Sequence, residues 1–97
     1  MRKPLTIVAR IEARQGKVDQ LKAALLKLIE PSRQEAGCLQ YDLHQDNETP
    51  AVFVFYENWE SRALWQVHMN KAHLKAYMEE ADSLVASFTV NEMCQIG

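Results

Sequence analysis

Glycine is scarce in this 97-residue chain: Gly16, Gly37 and Gly97 are the whole supply. That shortage excludes G-x-G-x-x-G and G-x-x-x-x-G-K-[ST] loops, whose backbone amides cradle phosphates only when glycines lie a few residues apart. Cysteine is equally sparse. Cys38 and Cys94 form no C-x-x-C pair, so a zinc ribbon or a thioredoxin-like dithiol is excluded, and both read as free, buried thiols of a reducing compartment. No apolar run approaches the roughly 18–20 residues that cross a bilayer. Met1-Arg2-Lys3-Pro4 runs straight into strand-like sequence without a signal peptide's apolar stretch, so the expectation is a cytoplasmic protein with no membrane partner. Net charge is −2 and the basic residues form no stripe, which argues against nucleic acid as a partner. There is no G-x-S-x-G elbow and no evident nucleophile-base pair, leaving covalent hydrolase chemistry without support.

What is present is periodicity. Leu5, Ile7, Ala9 and Ile11 alternate with Thr6, Arg10 and Glu12, the signature of a half-buried strand. Val18, Leu21, Leu25, Leu28 and Ile29 then recur at helical spacing until Pro31, which must kink the helix or open a new turn from its first position. Gly37 suits a left-handed helix terminus. Cys38 to Asp46 reads as a second strand with Leu39, Tyr41 and Leu43 on one face. Turn chemistry over Asp46-Asn47-Glu48-Thr49-Pro50 returns the chain as a third strand, Ala51 to Trp59. Ser61 is a candidate N-cap for a short helix to Met69, and Asn70 for another beginning at Lys71 with Leu74, Tyr77, Met78 and Ala81 as its apolar stripe. Phe88 to Ile96 closes as a fourth strand.

The order β-α-β-β-α-β makes one α+β domain over residues 1–97, a ferredoxin-like split βαβ with an antiparallel four-stranded sheet. Right-handed crossovers place the strands 4-1-3-2 with the helices on one face, and Cys38 and Cys94 at opposite edges, too far apart for a disulfide. Val52-Phe53-Val54-Phe55-Tyr56 is apolar on both faces, yet helices cover only one. A homodimer packed through the sheet faces is the expected remedy.

Three histidines draw attention. His68 shares a helical face with Leu64 and Val67, where an imidazole among apolar side chains serves either as an acid or base near neutral pH or as a hydrogen-bonded core residue. His68 and His73 lie five apart, about 140° around a continuous helix, so a shared pocket requires a break near Asn70. His73, with Tyr77 one turn on, falls at a helix N-terminus that favours the neutral ring. His44, between Asp42 and Asp46, reads as a solvated surface residue, and no metal site is expected from the three together. Glu57 and Trp59 share a strand face with Phe53 and Phe55, placing a carboxylate beside aromatics, as suits a cleft for a flat, partly polar molecule. Tyr41 and Trp59 serve equally well as core.

The segments GCLQYDLHQD from Gly37, VFVFYENWES from Val52 and HMNKAHLKAY from His68 resemble the antibiotic biosynthesis monooxygenase (ABM) domain family, especially its small quinol-monooxygenase-like members. The most specific features are Gly37-Cys38, Tyr41, Glu57-x-Trp59-x-Ser61 and His68-x4-His73-x3-Tyr77. The resemblance implies a dimeric α+β barrel with a cavity between sheet and helices. It also implies a monooxygenase that oxidises a small quinol or polyphenol with dioxygen and uses no flavin, haem or metal. In that chemistry a phenol is deprotonated in a dry pocket and its anion hands an electron to oxygen directly. By this resemblance His68 is the leading base, and His73 and Tyr77 complete the polar end. Glu57 orients the imidazole or a substrate hydroxyl, while Trp59, Tyr41 and Phe55 line the substrate site. A related haem-degrading branch is disfavoured. It places its ligating histidine where Tyr77 stands, and an asparagine in the first strand, which here reads Leu5-Thr6-Ile7-Val8-Ala9. Two other readings remain: an isomerase on the same scaffold, for which Arg62, Lys71 and Lys75 are the candidate phosphate-binding residues, and a non-enzymatic domain that shelters a small ligand.

Overall fold

The computed structural model describes residues 3–97; Met1 and Arg2, part of the expected leaderless start, lie outside the described residues. The chain runs β1 (Leu5–Ala13), α1 (Val18–Leu26), α2 (Ile29–Arg33), β2 (Cys38–Gln45), β3 (Val52–Trp59), α3 (Arg62–Met69), α4 (Ala72–Leu84) and β4 (Val85–Met93). The strands form one antiparallel sheet in the order β2-β3-β1-β4, the ferredoxin-like topology expected from the alternation of elements. Register puts Ile11 opposite Phe53, Ala9 opposite Phe55, Ile7 opposite Glu57 and Leu5 opposite Trp59. These side chains share one face of the sheet, and with Leu21 and Leu25 of α1 and Leu74 and Leu84 of α4 they make the core.

Four local expectations are corrected. The first helix ends at Leu26, and Pro31 is the third residue of α2. Its missing N–H is harmless there, because the first turn of a helix leaves its donors unpaired in any case. Asn70 closes α3 instead of opening α4: its amide donates to the Gln66 carbonyl at 2.9 Å, and Lys71, in extended backbone, precedes the next helix. The fourth strand begins three residues early, at Val85, because α4 passes into it without a turn; beyond Met93, opposite Thr6, the chain leaves the ladder, and Cys94 and Ile96 lie outside it. Finally, an irregularity between Cys38 and Gln40 sets Cys38, not Leu39, opposite Trp59. Leu39 is therefore 55% exposed, while Tyr41 and Leu43 keep the inward face.

The hairpin turn is built as its chemistry suggests, with Asp46 Oδ1 accepting from the N–H groups of Glu48 and Thr49 at 2.8 and 3.0 Å. Gly37 has φ +84°, and a Cβ there would meet Leu64 of α3, with its Cβ at 2.9 Å. Only glycine fits that turn. The outer sheet face is mixed: Val54 and Tyr56 lie near a polar chain in which Thr6 donates to Asn58 (2.6 Å) and Asn58 to Gln40 (2.8 Å). Cys38 and Cys94 are both free thiols, but neither is buried as expected: Cys38 is half-buried, and Cys94, past the end of the β4 ladder, is exposed.

Candidate active site

The turn between α2 and β2 brings a carboxylate to the two histidines. Arg33 anchors it by donating to the Tyr41 carbonyl at 3.1 Å and the Asp42 carboxylate at 3.0 Å, and Gly37 supplies the left-handed residue. Glu35, two positions before Gly37, turns inward. Its Oε2 lies 2.7 Å from His68 Nδ1 and 2.9 Å from His73 Nε2. The break between α3 and α4 is what lets residues five apart converge, with ring centroids 6.0 Å apart. Ser61 sets the start of α3 by accepting from the Leu64 N–H at 3.2 Å, and His68 sits one residue from its end.

A carboxylate oxygen only accepts, so His68 carries its proton on Nδ1 and presents a lone pair at Nε2, which has no partner among the described residues. Burial pulls the imidazole's proton affinity below its ordinary value, with the Glu35 bond opposing that and the His73 ring reinforcing it. The result is a neutral base. Trp59 is stacked against its ring at 4.5 Å and Tyr41 stands edge-on at 5.4 Å.

Beyond His68 opens a cavity of about 500 Å3. Tyr41, Glu57 and His68 form its polar end; Ile7, Ile11, Phe55, Leu74, Met78 and Phe88 are among its apolar walls. Glu57 accepts from the Trp59 indole N–H at 2.9 Å, a bond sealed from solvent. Burial pushes the Glu57 carboxyl up to about 7, partly offset by that indole bond and reinforced by the Glu35 charge. Burial likewise raises the Tyr77 hydroxyl to about 12, and drives that of Tyr41 far above the phenol range, so both enter the cavity as neutral donors.

Of the residues singled out in the sequence, His68, Glu57, Tyr41, Phe55 and Tyr77 line this cavity. Trp59 does not form its wall, as expected; it is completely buried behind His68 and holds Glu57. His73 is not among the residues lining the cavity; it meets His68 through Glu35, and its Nε2 also approaches Ser32 Oγ at 3.4 Å. Nor does Glu57 orient the imidazole, because Glu35 does. His73, at the start of α4, has its Nε2 2.9 Å from Glu35 Oε2. His44 is exposed on β2, as expected. Glu35 escaped the sequence reading because it lies 33 and 38 residues from its partners. The available signal was its position just before the obligatory glycine turn into the Tyr41 strand.

Glu35, His68 and His73 place three donor atoms within 4.8 Å of one another. Their N···O separations of 2.7 and 2.9 Å are those of shared protons, and a single oxygen serves both rings, which is hydrogen bonding and not the spread of a coordination shell.

A split βαβ sheet with helices on one face, a partly open, largely apolar cavity and a carboxylate-held imidazole at one end of it define a small α+β protein with a candidate ligand site. The family model described as antibiotic biosynthesis monooxygenase matches residues 4–80, and the chain belongs to that family. Among solved structures, PA3566 from Pseudomonas aeruginosa is similar, with a TM-score of 0.96 and 35% identity, covering 100% of this chain and 98% of that one. A Mycobacterium tuberculosis relative, named "Putative monooxygenase Rv0793", is 29% identical over 85 residues, 88% of this chain and 83% of its own length. A Synechocystis protein, sll1783, is 29% identical over 83 residues, 86% of this chain; the chain spans 56% of that relative's length. The family and the mycobacterial relative support a monooxygenase-type activity. No described helix is long and apolar enough to cross a membrane.

Proposed function

We propose that this protein oxidises a small quinol or polyphenol with dioxygen, without a cofactor. The observation that carries the reading is the free Nε2 of a neutral, Glu35-held His68, beside Tyr41 and Glu57, in a cavity whose walls are mainly apolar. A hydroquinone entering that cavity loses a hydroxyl proton to Nε2, and Glu35 stabilises the imidazolium that forms. The resulting anion is a strong reductant in surroundings that solvate it poorly, and it passes an electron to dioxygen. Recombination places one oxygen atom on the ring, the other leaves as water, and both reducing electrons come from the substrate. Hydroquinone and dioxygen thus give a hydroxyquinone and water. Glu57, its carboxyl raised to about 7 and so still partly protonated near neutral pH, donates a hydrogen bond to the substrate's second oxygen in its acid form.

The isomerase alternative, which needs an anionic substrate, finds no support in the cavity. The acidic residues lining it are Glu57 and Asp82, with neither arginine nor lysine along its walls, and Arg62 is engaged by Glu92 at 2.7 Å. Phosphate binding without a cation or an amide cradle is unfavourable. A second copy covering the outer sheet face, where Val54 and Tyr56 lie, accompanies this reading as a homodimer. The test is an oxygen electrode with a panel of hydroquinones. Uptake that is stoichiometric with substrate and faster than autoxidation is expected, and uptake no faster than autoxidation across the panel would remove the oxygenase reading.

A further inference from the structure

Two side-chain atoms beside the cavity have no hydrogen-bond partner among the described residues. His68 uses Nδ1 on Glu35 and keeps Nε2, and Glu57 uses Oε1 on the Trp59 indole N–H and keeps Oε2. Every sealed side-chain nitrogen and oxygen among those residues is paired, so both atoms are open to an approaching molecule, and both residues line the same cavity. One indole positions the two of them: its ring stacks on His68 at 4.5 Å while its N–H holds Glu57 at 2.9 Å. Glu57 is 4% exposed and has no cationic partner among the described ion pairs. Desolvation without a counter-charge favours the neutral acid, whose Oε2 then carries a proton to donate. A lone pair and an O–H in one mainly apolar cavity suit a substrate that loses a proton at one atom while negative charge collects at another. A hydroquinone needs the lone pair; a ketone needs both, because removing its α-hydrogen builds charge on the carbonyl oxygen. We infer that His68 and Glu57 enolise an uncharged, apolar ketone, a second activity of the cavity that consumes no oxygen. The inference rests, like the proposed function, on His68 being the base, and on nothing else in that reading.

The proton transfers balance. The α C–H bond breaks, its proton goes to His68 Nε2, and its electron pair forms the carbon–carbon double bond of the enol. The carbonyl π pair moves onto oxygen, which takes the proton of Glu57 Oε2. Glu57 is left a carboxylate, and His68 an imidazolium faced by Glu35 at 2.7 Å. In a β,γ-unsaturated ketone, His68 then returns the proton to the γ-carbon and Glu57 recovers its own from the enol. The double bond has moved into conjugation, no electron has left the substrate, and both side chains end as they began. The other polar groups of the cavity do not replace Glu57. Tyr41 pairs its hydroxyl with Ser32, Tyr77, raised to about 12, holds its proton, and Asp82 and Ser87 are exposed to solvent. Walls without lysine or arginine set this substrate apart from the phosphorylated ones weighed above.

Cyclohexenone with its double bond β,γ to the carbonyl serves as the probe, under nitrogen, and the ultraviolet absorbance of its conjugated isomer is the readout. The wild type should convert it at least about 100-fold faster than buffer alone, and His68→Ala should fall to the buffer rate. Glu57→Gln, which keeps an acceptor for Trp59 but has no proton to give, should lower kcat about 100-fold with little change in KM. Glu57→Met provides a second variant without an acid should the first fail to fold. Conversion by the wild type at the buffer rate overturns the inference, as does undiminished conversion by His68→Ala or by the Glu57 variant. Oxygen uptake with hydroquinones is read separately. Uptake without isomerisation sinks this inference alone, and isomerisation without uptake sinks the oxidation alone.

Discussion

A single carboxylate oxygen sets the chemistry of the site. Glu35 fixes the His68 tautomer, and in a buried setting an imidazole with the wrong tautomer presents an N–H where a lone pair is needed. Glu35→Gln should therefore lower kcat by about 100-fold with little change in KM, as steady-state oxygen uptake would show. A fall in substrate affinity alone would contradict that assignment. Glu57 gives a second prediction, from its carboxyl raised to about 7 against an ordinary 4.5. A carboxyl with a raised folded-state value favours folding in its protonated form. That contribution is complete below about pH 4.5 and is lost as pH climbs through about 7. Glu57→Gln, neutral at every pH and still able to accept from Trp59, should match the wild type in melting temperature at pH 4.5. It should exceed the wild type by several degrees at pH 8, in a thermal denaturation series. A constant difference across that range would count against the buried acid.

At the scale of elements, the turn at Gly37 and the break between α3 and α4 bring Glu35, His68 and His73 together. Gly37→Ala sets a side chain at φ +84° against Leu64, so it should cost about 2 kcal/mol or more and lower the melting temperature by roughly 10 °C. Since the same turn aims Glu35, turnover should fall further than lost folding accounts for. The elements themselves were legible: alternation marked β1, an apolar run after the turn marked β3, Ser61 marked the start of α3, and Asp46 to Pro50 marked the hairpin. Their ends were less so. The shift at Leu39 and the early start of β4 at Val85 follow from pairing with distant strands, which local periodicity does not record. Likewise, His68 and Glu57 stood out because their own neighbours are apolar, whereas Glu35 becomes buried only through contacts more than thirty residues away.

For the whole molecule, the cavity decides the class of ligand. Under the proposed function, walls that are apolar except at Tyr41, Glu57, His68, Tyr77, Ser87 and Asp82, and that hold no lysine or arginine, would favour an uncharged hydroxylated aromatic over a phosphorylated sugar. Hydroquinones should raise the melting temperature, and sugar phosphates at equal concentration should leave it unchanged. Fold and family were legible in the sequence because Gly37-Cys38, Glu57-x-Trp59-x-Ser61 and the paired histidines recur at fixed spacing. The cavity was not, because an unfilled volume depends on how helices sit over a sheet and leaves no residue of its own. The claim on which the rest depends is that His68 draws a proton from a hydroquinone so that its anion reduces oxygen. Oxygen uptake by wild type and His68→Ala, with the oligomeric state of both checked by light scattering, tests it most directly. Rapid uptake by the wild type that falls to the autoxidation rate in an otherwise intact variant is the predicted result, and equal uptake by the two proteins would contradict it.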